Sequence, residues 1–276
     1  MSSEKYVLDK FEKMGARCRV RQASSVRRSS SFQRNSMASN GARLNVLSDK
    51  DGEYFDIAIN GETPPEVNVL DVQPSDRHLL LLVRNAEGQK SKFLCGHDER
   101  HWFVAAIPEA APVGTVRQAK EALKPPEVQV RQVGLNKKKR NKRKNEAYVR
   151  QGEWFFIPVQ IGNPDSAYVL KNEPLSRGRG SKPHMCEFVY RRGGEQVYVC
   201  SRYPSGVDAT TYNRLLRDDK TAKGWGWRVM VKDASVFVRG RVTHADHATI
   251  TLVGWHRVVM NTENKAEAMR QVAFLD

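Results

Sequence analysis

From residue 43 onward, apolar and polar positions alternate in short runs separated by turn residues. LNVLSDKDGEYFDIAING reverses at Asp51-Gly52, a hairpin signal. RHLLLLVRN and KSKFLCG flank Ala86-Glu87-Gly88 and predict a second hairpin. Its unbroken leucines mark a central strand covered on both faces. HWFVAAIP adds one more strand. Thr115-Val116-Arg117-Gln118 is a capping box, opening a short helix that stops at Lys124 because Pro125 and Pro126 follow.

The second half repeats the style without repeating the sequence. GEWFFIPVQI is an aromatic strand. MCEFVY and EQVYVC surround Gly193-Gly194 and predict a hairpin pairing Phe188 with Val199 and Tyr190 with Val197. Asp208 caps a helix whose Tyr212, Leu215 and Leu216 share one face. WGWRVMV, SVFVRGRV and ATITLVGWHRVVM read as strands, and Thr262 opens a last amphipathic helix. The fold class is therefore α+β, mainly antiparallel β: two small β-rich domains, each with one or two short helices, joined by a basic linker. The expected boundaries are a disordered Arg/Ser-rich arm over 1–42, a β-rich domain over 43–124, a linker with helical potential over 125–151 and an α+β domain over 152–276.

Charge changes this picture. Lys and Arg number 46 against 31 Asp and Glu, a formal net charge of +15. Such an excess points to a polyanionic partner, nucleic acid before an acidic membrane surface. The longest aliphatic run, residues 79–83, is far too short to span a bilayer. The N-terminus lacks the apolar stretch of a signal peptide. Four scattered cysteines with no CxxC pair predict free thiols in a reducing compartment, hence an intracellular, cytoplasmic protein. The densest basic run supplies Lys137, Lys138, Lys139, Arg140, Lys142, Arg143 and Lys144. With Arg177, Arg179, Arg239 and Arg241, the last two expected on one strand face opposite a valine face, these form the candidate nucleic-acid-binding set. Tyr148, Trp154, Phe155, Trp225 and Trp227 are aromatic neighbours suited to stacking on bases, although Trp154 and Phe155 fit a core better.

Candidate chemistry rests on histidine. His244, His247 and His256 fall in one apparent hairpin, VRGRVTHADHATITLVGWHRVVMN. Its turn lies near residues 245–247, and His256 is about 20 Å down the returning strand at ~3.3 Å per residue. Those three cannot share a metal ion. His184, His244 and His247 remain as candidate acid/base groups, with Arg239 and Arg241 steadying phosphate charge. Cys95, His97 and His101 form a C-x-H-x3-H cluster that matches no common zinc spacing. Asp49, Asp51 and Glu53 read as a hairpin tip. The reading assigns no metal ligand and names no cofactor; no P-loop, GxGxxG, GxSxG or HExxH motif occurs. The leading expectation is a nucleic-acid-binding protein, RNA ahead of DNA, acting mainly through phosphate contacts. The alternatives are a nuclease or phosphotransferase using the histidines, and a structural or assembly factor capable of self-association.

Overall fold

The computed structural model describes residues 3–22, 37–39, 41–60, 63–176 and 182–266. The chain divides into two compact units, residues 1–147 with 260–270, and residues 148–259 with 271–276. The class is α+β with mostly antiparallel sheets. Among the described residues, no helix is long and apolar enough to cross a membrane.

The first unit contains helix α1 (Ser3–Lys13) and strands β1 (Arg17–Gln22), β2 (Met37–Ser39), β3 (Ala42–Asp49), β4 (Gly52–Ile59), β5 (Glu66–Gln73), β6 (His78–Arg84), β7 (Lys90–Asp98) and β8 (His101–Ile107). Helices α2 (Val116–Ala122), α3 (Pro126–Arg131) and α4 (Lys137–Arg140) follow. Two sheets form, ordered β1-β4-β3-β2 and β5-β6-β7-β8. The predicted reversals are present, with Asp49 opposite Gly52 and Arg84 opposite Lys90. Leu79, Leu81 and Val83 enter the main core with Phe55, Ile57 and Phe93. Leu80 enters a second core with Leu94, Val116 and Ala119. Two covered faces explain an unbroken leucine run. The capping box is complete: Thr115 Oγ1 accepts from the Gln118 N–H, and Gln118 Oε1 accepts from the Thr115 N–H.

The N-terminal segment is not the arm expected from its composition. Val7 and Phe11 of α1, and Met14 just after it, are buried in the main core, and β1 lies parallel to β4. Its arginines are neutralised within the fold. Arg17 and Arg19 bind Asp49, and Arg21 holds the buried Asp56 through two hydrogen bonds of 2.8 Å. The Arg17 hydrogen bonds hold the Asp49 carboxyl well below its ordinary range. Residues 23–36, the Arg/Ser-rich core of the expected arm, lie outside the described residues, as do 267–276, where the last helix was expected. Before them, Thr262–Lys265 forms one 3-10 turn, with Asn261 as its cap.

Residues 125–147 of the expected linker are likewise part of the first unit, and 148–151 open the second. Lys124 is buried, its ammonium donating to Glu121 Oε1, Gln132 Oε1 and the Arg140 carbonyl, each at 2.9 Å. One cation thus ties α2, α3 and α4 together. Asn136 caps α4 through the Lys138 N–H, as its sequence position suggests.

The second unit contains β9 (Val149–Gln151), β10 (Trp154–Pro158), β11 (Val169–Leu175), β12 (His184–Arg192), β13 (Glu195–Val199), α5 (Ala209–Asp218), β14 (Arg228–Lys232), β15 (Ser235–Thr243) and β16 (Ile250–Met260). Its main sheet runs β11-β12-β15-β16-β10-β9, and β13 pairs with β14 alone. The predicted β12–β13 hairpin does not form. Gly193 and Gly194, both at positive φ, turn the chain away, and β12 pairs with β11 and β15 instead, so Phe188 faces Lys171 and Arg239. Tyr148, Trp154, Phe155 and Phe156 are core residues. The four cysteines are free. Burial pushes the Cys18 and Cys186 thiols up to about 12, which keeps them unreactive.

Candidate metal centre

The β12–β15 pairing builds a site that the sequence order hides. Met185 stands opposite Thr243, so the next position outward sets His184 beside His244. Their rings stack with centroids 4.2 Å apart. The loop between β15 and β16 then folds His247 back over both, at 5.7 Å from His184 and 4.7 Å from His244. One ligand nitrogen from each imidazole lies within 4.8 Å of one from each of the others. A tetrahedral ion with Zn–N bonds of about 2.0–2.1 Å draws such nitrogens to roughly 3.4 Å of one another, so binding needs a contraction of about 1.4 Å at most. Side-chain rotation of that size is available to His244 and His247 in the loop, while His184 is held on β12.

The surroundings fix the cluster. Gln151, at the end of β9, is buried, and its amide donates to the Ala248 carbonyl at 2.7 Å, pinning the loop that carries His244 and His247. The following Gly152 adopts φ +58°, and a Cβ there would lie 2.9 Å from His247 Nε2 and 3.4 Å from His184 Nε2. Only glycine lets the β9–β10 turn approach the imidazoles so closely. His244 Nε2 lies 3.2 Å from the Lys182 carbonyl, while the Asp246 N–H donates to Nδ1 at 3.1 Å. A ligand histidine commonly donates its second ring N–H to a backbone carbonyl, which sets the tautomer. With Nε2–H on the Lys182 carbonyl, Nδ1 is the ligand atom of His244, and an ion there replaces the hydrogen bond from the Asp246 N–H. Asp246 in turn binds the Lys182 ammonium at 2.8 Å. Burial, reinforced by the neighbouring His247, pulls the His244 pKa below 6.5. A neutral imidazole is the form that binds metal.

The donor set has chemical consequences. Three imidazoles without a carboxylate select borderline transition ions such as zinc or cobalt over magnesium or calcium. Three protein ligands also leave a coordination position open, the pattern of catalytic rather than structural zinc.

Other sequence candidates do not assemble. His256 is buried on β16 opposite Val238, its Nδ1 3.1 Å from the Gly254 carbonyl, away from the cluster as its spacing implied. Cys95 is buried in the core, His97 packs edge-on against Trp102, and His101 binds Glu53 at 2.8 Å. Asp49 and Glu53 are occupied by Arg17 and His101, which removes the hairpin tip as a cation site. Among the described residues, the three-histidine group is the only His/Cys/Asp/Glu cluster with ligand spacing.

The basic set divides. Arg143 pairs with Asp98 and Glu99, and Lys139 pairs with Glu146 at 2.8 Å. Arg140 donates to the Leu135 carbonyl. Among the described residues, no ion pair engages Lys137, Lys138, Lys142 or Lys144. Arg239 and Arg241 do not share one strand face, because a bulge at Gly240 intervenes. Arg239 pairs with Phe188, whereas the Arg241 N–H donates to Glu187. Arg177 and Arg179 lie outside the described residues. Comparison with protein-family models, curated proteins and solved structures finds no match to this chain.

Proposed function

We propose that the protein binds nucleic acid, RNA ahead of DNA, and cleaves it with a transition-metal ion held by His184, His244 and His247. The convergence of these three imidazoles, one from β12 and two from the loop between β15 and β16, carries the reading. His184, His244 and His247 would hold the ion, which would supply a water of lowered pKa and stabilisation of charge on a phosphoryl oxygen. The chain's own residues position the imidazoles and keep His244 neutral. The net charge of +15 supports a polyanionic substrate.

The test uses the full chain, stripped with a chelator and reloaded with zinc, cobalt, manganese or magnesium, then incubated with end-labelled RNA and single-stranded DNA. Cleavage is expected with zinc or cobalt and not with magnesium alone. His184→Ala and His247→Ala should abolish cleavage while leaving the dissociation constant for the strand nearly unchanged. Cleavage surviving in both variants, or absent with every ion, overturns the enzymatic half. Binding that is absent at low salt overturns the nucleic-acid half.

A further inference from the structure

A second concave site lies in the same unit. Register aligns Lys171 of β11, Phe188 of β12 and Arg239 of β15 as direct neighbours in one row across three strands. Trp255 of β16 continues the row. The Arg239 guanidinium lies 5.1 Å from the Phe188 ring centroid and 5.0 Å from that of Trp255. The row therefore reads cation, aromatic, cation, aromatic. Asn163, Pro164 and Ser166, from the segment between β10 and β11, wall a cavity of about 280 Å³ above it, with Val169 at its edge. Among the described residues, its lining has two cations and no carboxylate. Trp255 is buried and its indole N–H has no acceptor.

We propose that this cavity is a subsite for one nucleotide, with the phosphate on Arg239 and Lys171 and the base stacked against Phe188. The proposal rests on the nucleic-acid reading and adds to it the place where a base is held. Neighbouring strands are about 4.8 Å apart, so Lys171 and Arg239 stand roughly 10 Å from each other at the backbone. One phosphate between their long side chains is within reach of both. Stacking between two rings holds the guanidinium fork in place, which favours bidentate phosphate contact. The volume lies near the lower end of the roughly 300–1,000 Å³ typical of ligand pockets, which suits one nucleotide rather than a duplex segment. Aromatic faces stack on any base, so the subsite reads the presence of a base and not its identity.

The experiment measures anisotropy of two labelled 12-mers on the full chain at one fixed salt concentration. One is oligouridine; the other is an abasic strand with the same sugar-phosphate backbone. Wild type should prefer the base-bearing strand. Phe188→Leu should weaken oligouridine binding about 5- to 150-fold, the range for losing one stacked base, and leave the abasic strand unaffected. Arg239→Gln should weaken both strands and lower the salt slope by about 0.7. Arg239 is exposed, so this variant tests the subsite even if Phe188→Leu fails to fold. Uridine monophosphate as competitor distinguishes a free nucleotide from a strand as the ligand; either upholds the subsite. Equal wild-type affinity for the two 12-mers, or a Phe188→Leu chain that is folded and binds oligouridine like wild type, overturns the subsite and leaves nucleic-acid binding intact. If wild type binds neither strand at low salt, the nucleic-acid reading falls and the subsite with it.

Discussion

Gly152 shows how much a single residue decides at the histidine cluster. Alanine there must adopt a left-handed backbone, which costs roughly 1–2 kcal/mol, and its methyl would meet His247 Nε2 at 2.9 Å. Gly152→Ala should therefore lower the melting temperature. Zinc affinity should fall by about 10- to 100-fold, the usual cost of disturbing what orients a ligand. Competition against a chromophoric chelator measures that affinity; an unchanged value would mean the ion does not sit where His247 points. Proton linkage gives a second expectation at this scale. Burial is the main cause lowering the pKa of both His244 and His256 from 6.5. The unfolded chain takes up these protons near pH 6.5, while the fold resists them until lower pH. Stability should thus be level above about pH 7.5 and fall as pH drops through 6.5, with zinc release in the same direction. Urea midpoints at pH 8, 6.5 and 5 test the sign, and a His244→Asn, His256→Asn chain should show a flatter profile. The sequence exposes part of this site. His244 and His247 at a loop tip, and His256 too far down the strand, follow from period-two spacing alone. The partnership with His184 does not, because it depends on β12 pairing with β15, more than 40 positions away, and no local pattern records that choice.

Elements show the same division between local and distant information. Turns and caps are legible because their determinants are adjacent residues: the reversal at residues 50–51, the Thr115 box, the Asp208 cap on Thr211. Thr115→Ala should cost about 1 kcal/mol by urea denaturation. The N-terminal segment is not legible in this way, because its charge density resembles that of a disordered tail. Its arginines face Asp49 and Asp56, which lie 30 or more residues away in sequence, and its few apolar residues fall on the single face of α1 that the core needs. Phe11 is fully buried, 4.9 Å from the Phe55 ring. Phe11→Ala should accordingly destabilise the chain by about 3–5 kcal/mol. A loss below 1 kcal/mol would return this segment to the status of an arm. The Gly193-Gly194 turn misleads for a related reason. Two glycines permit a hairpin but do not require one, and a Cβ at Gly194 would collide with Val231, Lys232 and Ala234, so this glycine serves close packing against the neighbouring strand.

Over the whole molecule, pairing within the fold leaves the net charge of +15 intact but decides which cations are free to carry it. Arg17, Arg19, Arg21, Lys124, Lys139 and Arg143 are bound to acceptors within the fold, which leaves the basic run of residues 137–144 functionally mixed. Lys137, Lys138, Lys142 and Lys144 are the members left for the proposed phosphate contact, and Arg143 is paired with Asp98 and Glu99. Two variants separate the roles. Replacing those four lysines with Gln should weaken binding to every strand alike and reduce the salt slope by up to about 0.7–0.9 for each phosphate no longer neutralised. Stability should hold or rise slightly, since like charges are removed from one surface. Arg143→Gln should do the reverse. It strips the cation from Asp98 and Glu99, so it should lower stability and change the slope by no more than the share of one phosphate. Salt titrations from 50 to 300 mM beside thermal melts distinguish the outcomes. If the four-lysine variant keeps the wild-type slope, this run does not track a phosphate backbone.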